Sequence, residues 1–291
     1  MARGFRACAA VGTLVAALTL TQPAFADTLL GERDGAFYVT DGLTIPVGPD
    51  DALVDLECAT AGPETKATGG GFTSSPGFFD AVALWSFPFP TSWRTQQYLG
   101  ASGMQSATGF VICKKGKLRY PERSVKVKGG KTGTAKASCR EGMHIAGGGG
   151  LIQSVPGEAR LNSSYPFDDG DRGKRPDDGW AVRAINNGDD ADFLEAHAVC
   201  QNREPRYVHD SPNDLVASGT GASIPFCRTS EHLIGLGAKL AGAAGQSELH
   251  ILRPQDSGAD GDTLPEDGVL ANASNHAGEA KRLSAYAICE K

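Results

Sequence analysis

Alternation of apolar and polar positions is the dominant pattern along this chain. In residues 193–200, Leu194, Ala196, Ala198 and Cys200 fall on one side of the alternation, with Glu195 and His197 on the other. Residues 283–289 alternate in the same way, and residues 180–185 read as a further strand ended by Asn186, Asn187 and Gly188. Successive side chains of a strand point to opposite faces, so this pattern predicts half-buried strands. A shorter strand is expected over residues 36–40. Sustained helical periodicity is not seen at helix length after the first 26 residues. Residues 233–245 are alanine-rich, but four glycines interrupt them and weaken any helix.

The predicted strands recur. Cys58, Cys139 and Cys227 each open a stretch that closes at Cys113, Cys200 and Cys289, and a glycine cluster follows each opening cysteine: Gly69 to Gly71, Gly147 to Gly150, then Gly235 and Gly237. The distances Gly71 to Pro88, Gly149 to Pro166 and Gly237 to Pro254 are all 17 residues. Trp93 to Cys113, Trp180 to Cys200 and Val269 to Cys289 are all 20. Such self-similarity marks an array of like units. The chain divides accordingly into a leader (27–52), repeat 1 (53–115), a basic linker (116–132), repeat 2 (133–203), a second linker (204–221) and repeat 3 (222–291). Four or five strands per unit give an all-β fold with pseudo-threefold symmetry. A β-prism is the first expectation, with a β-trefoil or three tandem small sandwiches as alternatives. Glycine within a strand signals a bulge or a close backbone approach, as expected where three sheets meet near an axis.

The unit running from cysteine through the glycine cluster, Ser-x-Pro, Gly-Trp-x-Val, Asn and a closing Ala-x-Ala-Val/Ile-Cys resembles a repeat of uncharacterised exported proteins of the actinobacterial type. It is similar, more loosely, to the glycine-rich β-prism of vitelline membrane outer layer protein I. The second unit carries the resemblance best, through Cys139, Gly147 to Gly150, Ser164, Pro166, Gly179, Trp180, Val182, Asn186 and Cys200. In the third unit Val269 stands for the tryptophan and Arg253 for the serine. The resemblance implies a fold and an exported life; it implies no activity.

Residues 1–26 read as a secretory signal peptide. Arg3 and Arg6 precede an apolar run over residues 7–20 that is too short to span a bilayer, and Ala24 and Ala26 suit cleavage before Asp27. The expected protein is secreted, without a transmembrane segment. Its six remaining cysteines suit disulfides in that setting. The repeat selects Cys58–Cys113, Cys139–Cys200 and Cys227–Cys289 as the simplest pairing. A formal net charge of −6 argues against a general nucleic-acid binder.

Candidate chemistry is sparse. Lys131, Thr132, Gly133 and Thr134 match a Lys-Thr-Gly box, but no Ser-x-x-Lys follows the first 26 residues to complete it. The six histidines are dispersed. Acidic clusters at Asp168, Asp169 and Asp171 and at Asp256, Asp260 and Asp262 occupy matching places but lack the full calcium-loop pattern, so no metal or cofactor is expected. The eight Lys and Arg residues over 114–131 face a single acid, Glu122; they suit an aggregation-blocking edge strand or an anionic surface. Trp93 and Trp180, at matching positions, are expected in the core. Trp85 and Tyr165 are the candidate exposed platforms for a ligand. The expected function is an exported, non-catalytic binding or structural protein, with glycan or anionic cell-wall polymer as the candidate partner. The alternatives are an exported hydrolase with dispersed catalytic groups and a purely structural envelope protein.

Overall fold

The computed structural model describes residues 27–45, 50–74, 82–99, 105–155, 157–169, 175–210, 213–215, 218–241, 247–258 and 261–291. The signal sequence, Asp171 and Asp260 lie outside them. Repeat 1 contributes β2 (Ala36–Ile45), β3 (Asp50–Glu57), β4 (Thr65–Ser74), β5 (Val82–Pro88), β6 (Ser92–Leu99) and β7 (Gln105–Lys115), preceded by β1 (Thr28–Arg33). Repeat 2 contributes β8 (Glu122–Val127), β9 (Lys131–Ser138), β10 (His144–Gln153), β11 (Ala159–Phe167), β12 (Gly179–Asn186) and β13 (Asp192–Gln201). Repeat 3 contributes the pair β14 (Arg206–His209) and β15 (Asn213–Leu215), then β16 (Gly219–Ser223), β17 (His232–Ala241), β18 (Ser247–Gln255), β19 (Gly268–Asn275) and β20 (Lys281–Glu290). No α-helix occurs among the described residues, and none there is long and apolar enough to cross a membrane. Each unit thus has six strand positions among the described residues, the short β14 and β15 sharing one of them, which is more than expected, because segments read as leader and linkers also form strands. The basic segment supplies β8 and the start of β9, which are the outer strands of two different sheets.

The strands assemble into three antiparallel sheets, ordered β1-β2-β7-β4-β18-β19-β16, β3-β6-β5-β10-β13-β8 and β14-β20-β17-β11-β12-β9. No sheet belongs to one repeat. Each joins three strands of one repeat to three of another, in cyclic order, with β1 added at the edge of the first sheet and β15 beside β14 on β20 in the third. That exchange rules out three tandem sandwiches. At each seam the pairing among the described residues is short: Gly150 with Ser86 and Leu151 with Trp85, Ser164 with Ala238, and Ile251 with Thr73 and Leu252 with Phe72. Each disulfide joins a cysteine that follows an outer strand (β3, β9 or β16) to a strand in a different sheet: Cys58–Cys113, Cys139–Cys200 and Cys227–Cys289, as the repeat predicted.

The glycines let the sheets meet. A Cβ on Gly69 would lie 2.7 Å from Gly235 Cα, one on Gly235 3.1 Å from Gly147 Cα, and one on Gly147 3.4 Å from Gly69 Cα. The contact closes a ring of three. Just before each of these glycines the ladder shifts by one residue, at Ala67/Gly69, Ile145/Gly147 and Leu233/Gly235. Such bulges bend a strand and leave backbone groups to be satisfied by other means.

Three tyrosines supply those means. The hydroxyl of Tyr38 donates to Leu233 O at 2.7 Å, Tyr120 to Ala67 O at 2.9 Å, and Tyr207 to Ile145 O at 2.9 Å. Each acceptor is the residue just before a bulge, and each bond runs from one repeat to another: 1 to 3, 2 to 1, 3 to 2. Burial raises all three phenol pKa values above their ordinary range. Beside this ring lies a polar one. Lys114, Gln201 and Glu290, each one residue after a closing cysteine, are mutually bonded: Lys114 Nζ meets Gln201 Oε1 at 3.2 Å and the Glu290 carboxylate, and Gln201 Nε2 reaches Glu290 Oε1 at 3.4 Å. Cation, amide and carboxylate cancel in charge, which lets the group be largely buried.

Trp93 and Trp180 are fully buried, as expected. Their indole N–H groups donate to Ser86 Oγ at 3.1 Å and Ser164 Oγ at 2.8 Å. Gly70 and Gly148 make room for the rings; a Cβ on either would lie 2.4 Å from ring carbon. In the third unit all three positions change together. Val269 replaces the tryptophan, and Leu252, two residues before Pro254, stands in the place of the serines rather than Arg253. Leu236 replaces the glycine. A smaller residue on one side is matched by larger ones on the other, and the lost N–H is matched by a lost hydroxyl.

Candidate binding face

Among the described residues, one face of the second sheet gathers exposed aromatic and planar polar side chains. The strand register carries a row across all six strands: Leu53, Gln96, Trp85, Leu151, Glu195 and Ser124. Cross-strand partners share a face, so these side chains point outward together. A second row holds Asp55, Arg94 and Phe87 from one repeat, and His197 and Glu122 from the other. A third contains Gln153, Phe193 and Lys126. Leu53, Phe89 and Phe193 are three of the large apolar residues standing exposed among the described residues. Alternate residues of the same strands, such as Val54, Trp93, Ser86 and Ala196, point into the core.

The face is ordered by its own contacts. Trp85 Nε1 donates to Ile152 O at 3.1 Å, which fixes the indole half-buried across the seam. Phe87 stacks on His197 at 4.9 Å between centroids and packs 5.0 Å from Phe89. Arg94 lies 5.1 Å from the Phe89 ring centre and pairs with Asp55 at 2.5 Å. Gln153 Nε2 donates to Glu195 Oε1 at 2.9 Å. Gln96 Oε1 and His197 Nε2 have no hydrogen-bond partner among the described residues. Burial lowers the His197 pKa, against the opposing pull of Glu122. Burial, followed by the charge of Glu122, raises that of Glu195.

Tyr165 lies elsewhere. It stands on β11 in the third sheet, half-buried, stacked on Tyr286 at 6.2 Å with Lys239 Nζ 4.9 Å above its ring. Trp85 and Tyr165 are therefore separate, and neither is a loop residue: both sit within strands. The structure groups Trp85 instead with Gln96, Phe89, Arg94 and Phe193. The alternating residues of β3, β6 and β13 carried this signal, but their shared face depends on long-range register.

The other sequence candidates are absorbed by the fold. Lys131 to Thr134 run along β9, paired to β12. Asp169 pairs with Lys136 at 3.3 Å, Asp256 accepts from Gly258 N at 2.6 Å, and Asp262 accepts from Leu264 N at 2.8 Å. No cluster of metal-ligating side chains occurs among the described residues. Among the described residues, a histidine, a serine and a carboxylate meet at His250, whose Nε2 lies 2.6 Å from Ser274 Oγ and 3.9 Å from Glu248 Oε1. Serine and carboxylate thus face the same ring nitrogen, whereas a relay uses both nitrogens. Ser274 is also buried. Scanned against protein-family models and searched against curated proteins, the chain matches none.

Proposed function

We propose that the protein is an exported, non-catalytic binding protein whose ligand face is the outer surface of the second sheet, and that the ligand is a glycan chain. The observation that carries this reading is the continuous outward row through Leu53, Gln96, Trp85 and Glu195, flanked by exposed Phe89 and Phe193. Flat aromatic surfaces accept the C–H faces of sugar rings at little entropic cost. Neighbouring amides, carboxylates and a guanidinium pair with hydroxyls, and hydrogen bonds to hydroxyl groups discriminate strongly. An open sheet face suits an extended polymer better than a small enclosed ligand. Three disulfides fit an oxidising, extracellular setting.

Affinity electrophoresis of the mature protein in gels containing soluble cell-wall glycans tests the reading. Retardation is expected for the native chain and for Tyr165→Ala, and lost in Trp85→Ala and Phe193→Ala. Retardation that survives Trp85→Ala but disappears in Tyr165→Ala would move the site to the third sheet. The rival hydrolase reading rests on His250 and Ser274; labelling of Ser274 by a fluorophosphonate probe in the native protein would favour it.

A further inference from the structure

The ring of tyrosines aligns the three repeats residue by residue and exposes a difference among them. Arg119, Arg206 and Phe37 precede Tyr120, Tyr207 and Tyr38 and pair with Cys200, Cys289 and Cys113. Across from them, a tight turn follows each opening cysteine. Met143 N donates to Arg140 O at 3.0 Å, Glu231 N to Arg228 O at 2.8 Å, and Gly62 N to Ala59 O at 3.1 Å. Met143, Glu231 and Gly62 are thus the same position in three settings.

In the third repeat that position neutralises its arginine. Arg206 Nε lies 2.9 Å from Glu231 Oε1 and 2.6 Å from Oε2, Nη2 adds a further contact, and Arg228 N donates to Oε2 at 3.2 Å. The hydrogen bonds from Arg206 hold the Glu231 carboxyl below its usual range. The first repeat has no charge at any of the three places, which hold Phe37, Ala59 and Gly62. The second repeat keeps both arginines and lacks the acid. There Arg119, Tyr120, Pro121, Arg140, Met143 and Cys200 line a cavity of 290 Å³. No carboxylate belongs to that lining, and neither guanidinium forms an ion pair among the described residues.

We propose that the cavity between Arg119 and Arg140 binds a carboxylate group of an external ligand, in the place that the Glu231 side chain fills in the third repeat. Guanidinium groups match a carboxylate with parallel N–H donors, which a lysine cannot do. The Tyr120 hydroxyl is already committed to Ala67 O and, at 3.3 Å, to Pro90 O, so the phenol shapes the wall rather than supplying a donor. The surrounding basic segment concentrates anions near the opening. Pro90 adjoins Phe89, so the cavity lies toward one end of the aromatic face. An acidic sugar would engage both, but the inference stands on the arginine pair alone.

The test is titration of the isotopically labelled mature protein with acetate, glucuronate and inorganic phosphate at constant ionic strength, followed through arginine side-chain N–H resonances. Acetate and glucuronate are expected to shift Arg119 and Arg140 saturably. Met143→Glu should fill the cavity from within and weaken acetate binding at least about tenfold. Arg140→Gln, an exposed substitution, should weaken it to a similar degree. Tighter saturation by phosphate than by either carboxylate would overturn the ligand class. Shifts that never saturate, or undiminished binding in both variants, would overturn the site. Glycan retardation is read separately through Trp85→Ala, so either reading can fail without the other.

Discussion

Replacing Tyr38 by phenylalanine removes one oxygen and leaves the ring in place. The deleted hydroxyl donates to Leu233 O at 2.7 Å, and Tyr38 is almost fully buried, so water cannot replace it. Leaving a buried acceptor without that partner costs about 1–3 kcal/mol. Tyr38 should fall near the top of that range, because its hydroxyl and acceptor are both enclosed. Tyr207 and Tyr120 are half-buried, and the surroundings of the Tyr120 hydroxyl include a second acceptor, Pro90 O. Their phenylalanine variants should cost about 1 kcal/mol each. For a chain of this size 1 kcal/mol corresponds to about 2–4 °C in melting temperature. Guanidinium unfolding followed by tryptophan fluorescence, with disulfides intact, gives the three values. If all three variants stay within about 0.5 kcal/mol of the native protein, the size of an ordinary surface change, the tyrosines do not fasten the repeats. The same reasoning fails if Tyr120→Phe proves costlier than Tyr38→Phe.

The same phenols set an alkaline limit. Their folded pKa values are raised by burial, so their contribution to stability is intact below about pH 10, the unfolded value, and is lost as pH rises above it; tyrosinate absorbance should appear together with loss of structure. His197 and His232 have folded pKa values lowered by burial, so stability is full above about pH 6.5 and declines as pH falls below it, and His197→Gln should flatten that decline in a melting series. Trp180→Ala should destabilise by about 3–5 kcal/mol, whereas half-buried Trp85→Ala should cost much less in the same denaturation assay. Gly148→Ala should be destabilising by at least about 1 kcal/mol, since its Cβ would meet both the Trp180 ring and, at 2.5 Å, His197 O; a neutral result would contradict the packing described.

Local pattern made the strands, the cysteine pairs and the buried tryptophans legible. Alternation around Leu194 and Ala196 is a local property, and the spacing of Cys139 and Cys200 repeats elsewhere. Partnership between strands is not local. Nothing in β5 states that its neighbour is β10 of the next repeat, so the face gathering Trp85 with Glu195 emerged only with the register. Short charged strands such as β8 hid for another reason: at a sheet edge one side needs no apolar partner, and a segment rich in Lys and Arg resembles a linker. The serine equivalent in the third unit is Leu252, not Arg253: it stands two residues before Pro254, as Ser86 and Ser164 stand before Pro88 and Pro166, and the matching bulges leave that offset unchanged. The role of Met143 required all three repeats to be laid on one another.

The cyclic exchange between sheets also bears on how such a chain could have arisen. A single repeat excised from the ring would expose two raw seams, its β4-type strand on one side and its β5-type strand on the other. Neither seam could close on itself, yet each is complementary to the other on a second copy. Three identical copies would therefore close head to tail, as heterologous contacts do when rotation returns to its start. On this view the covalent chain is a homotrimer written in tandem, whose subunits have since been free to diverge.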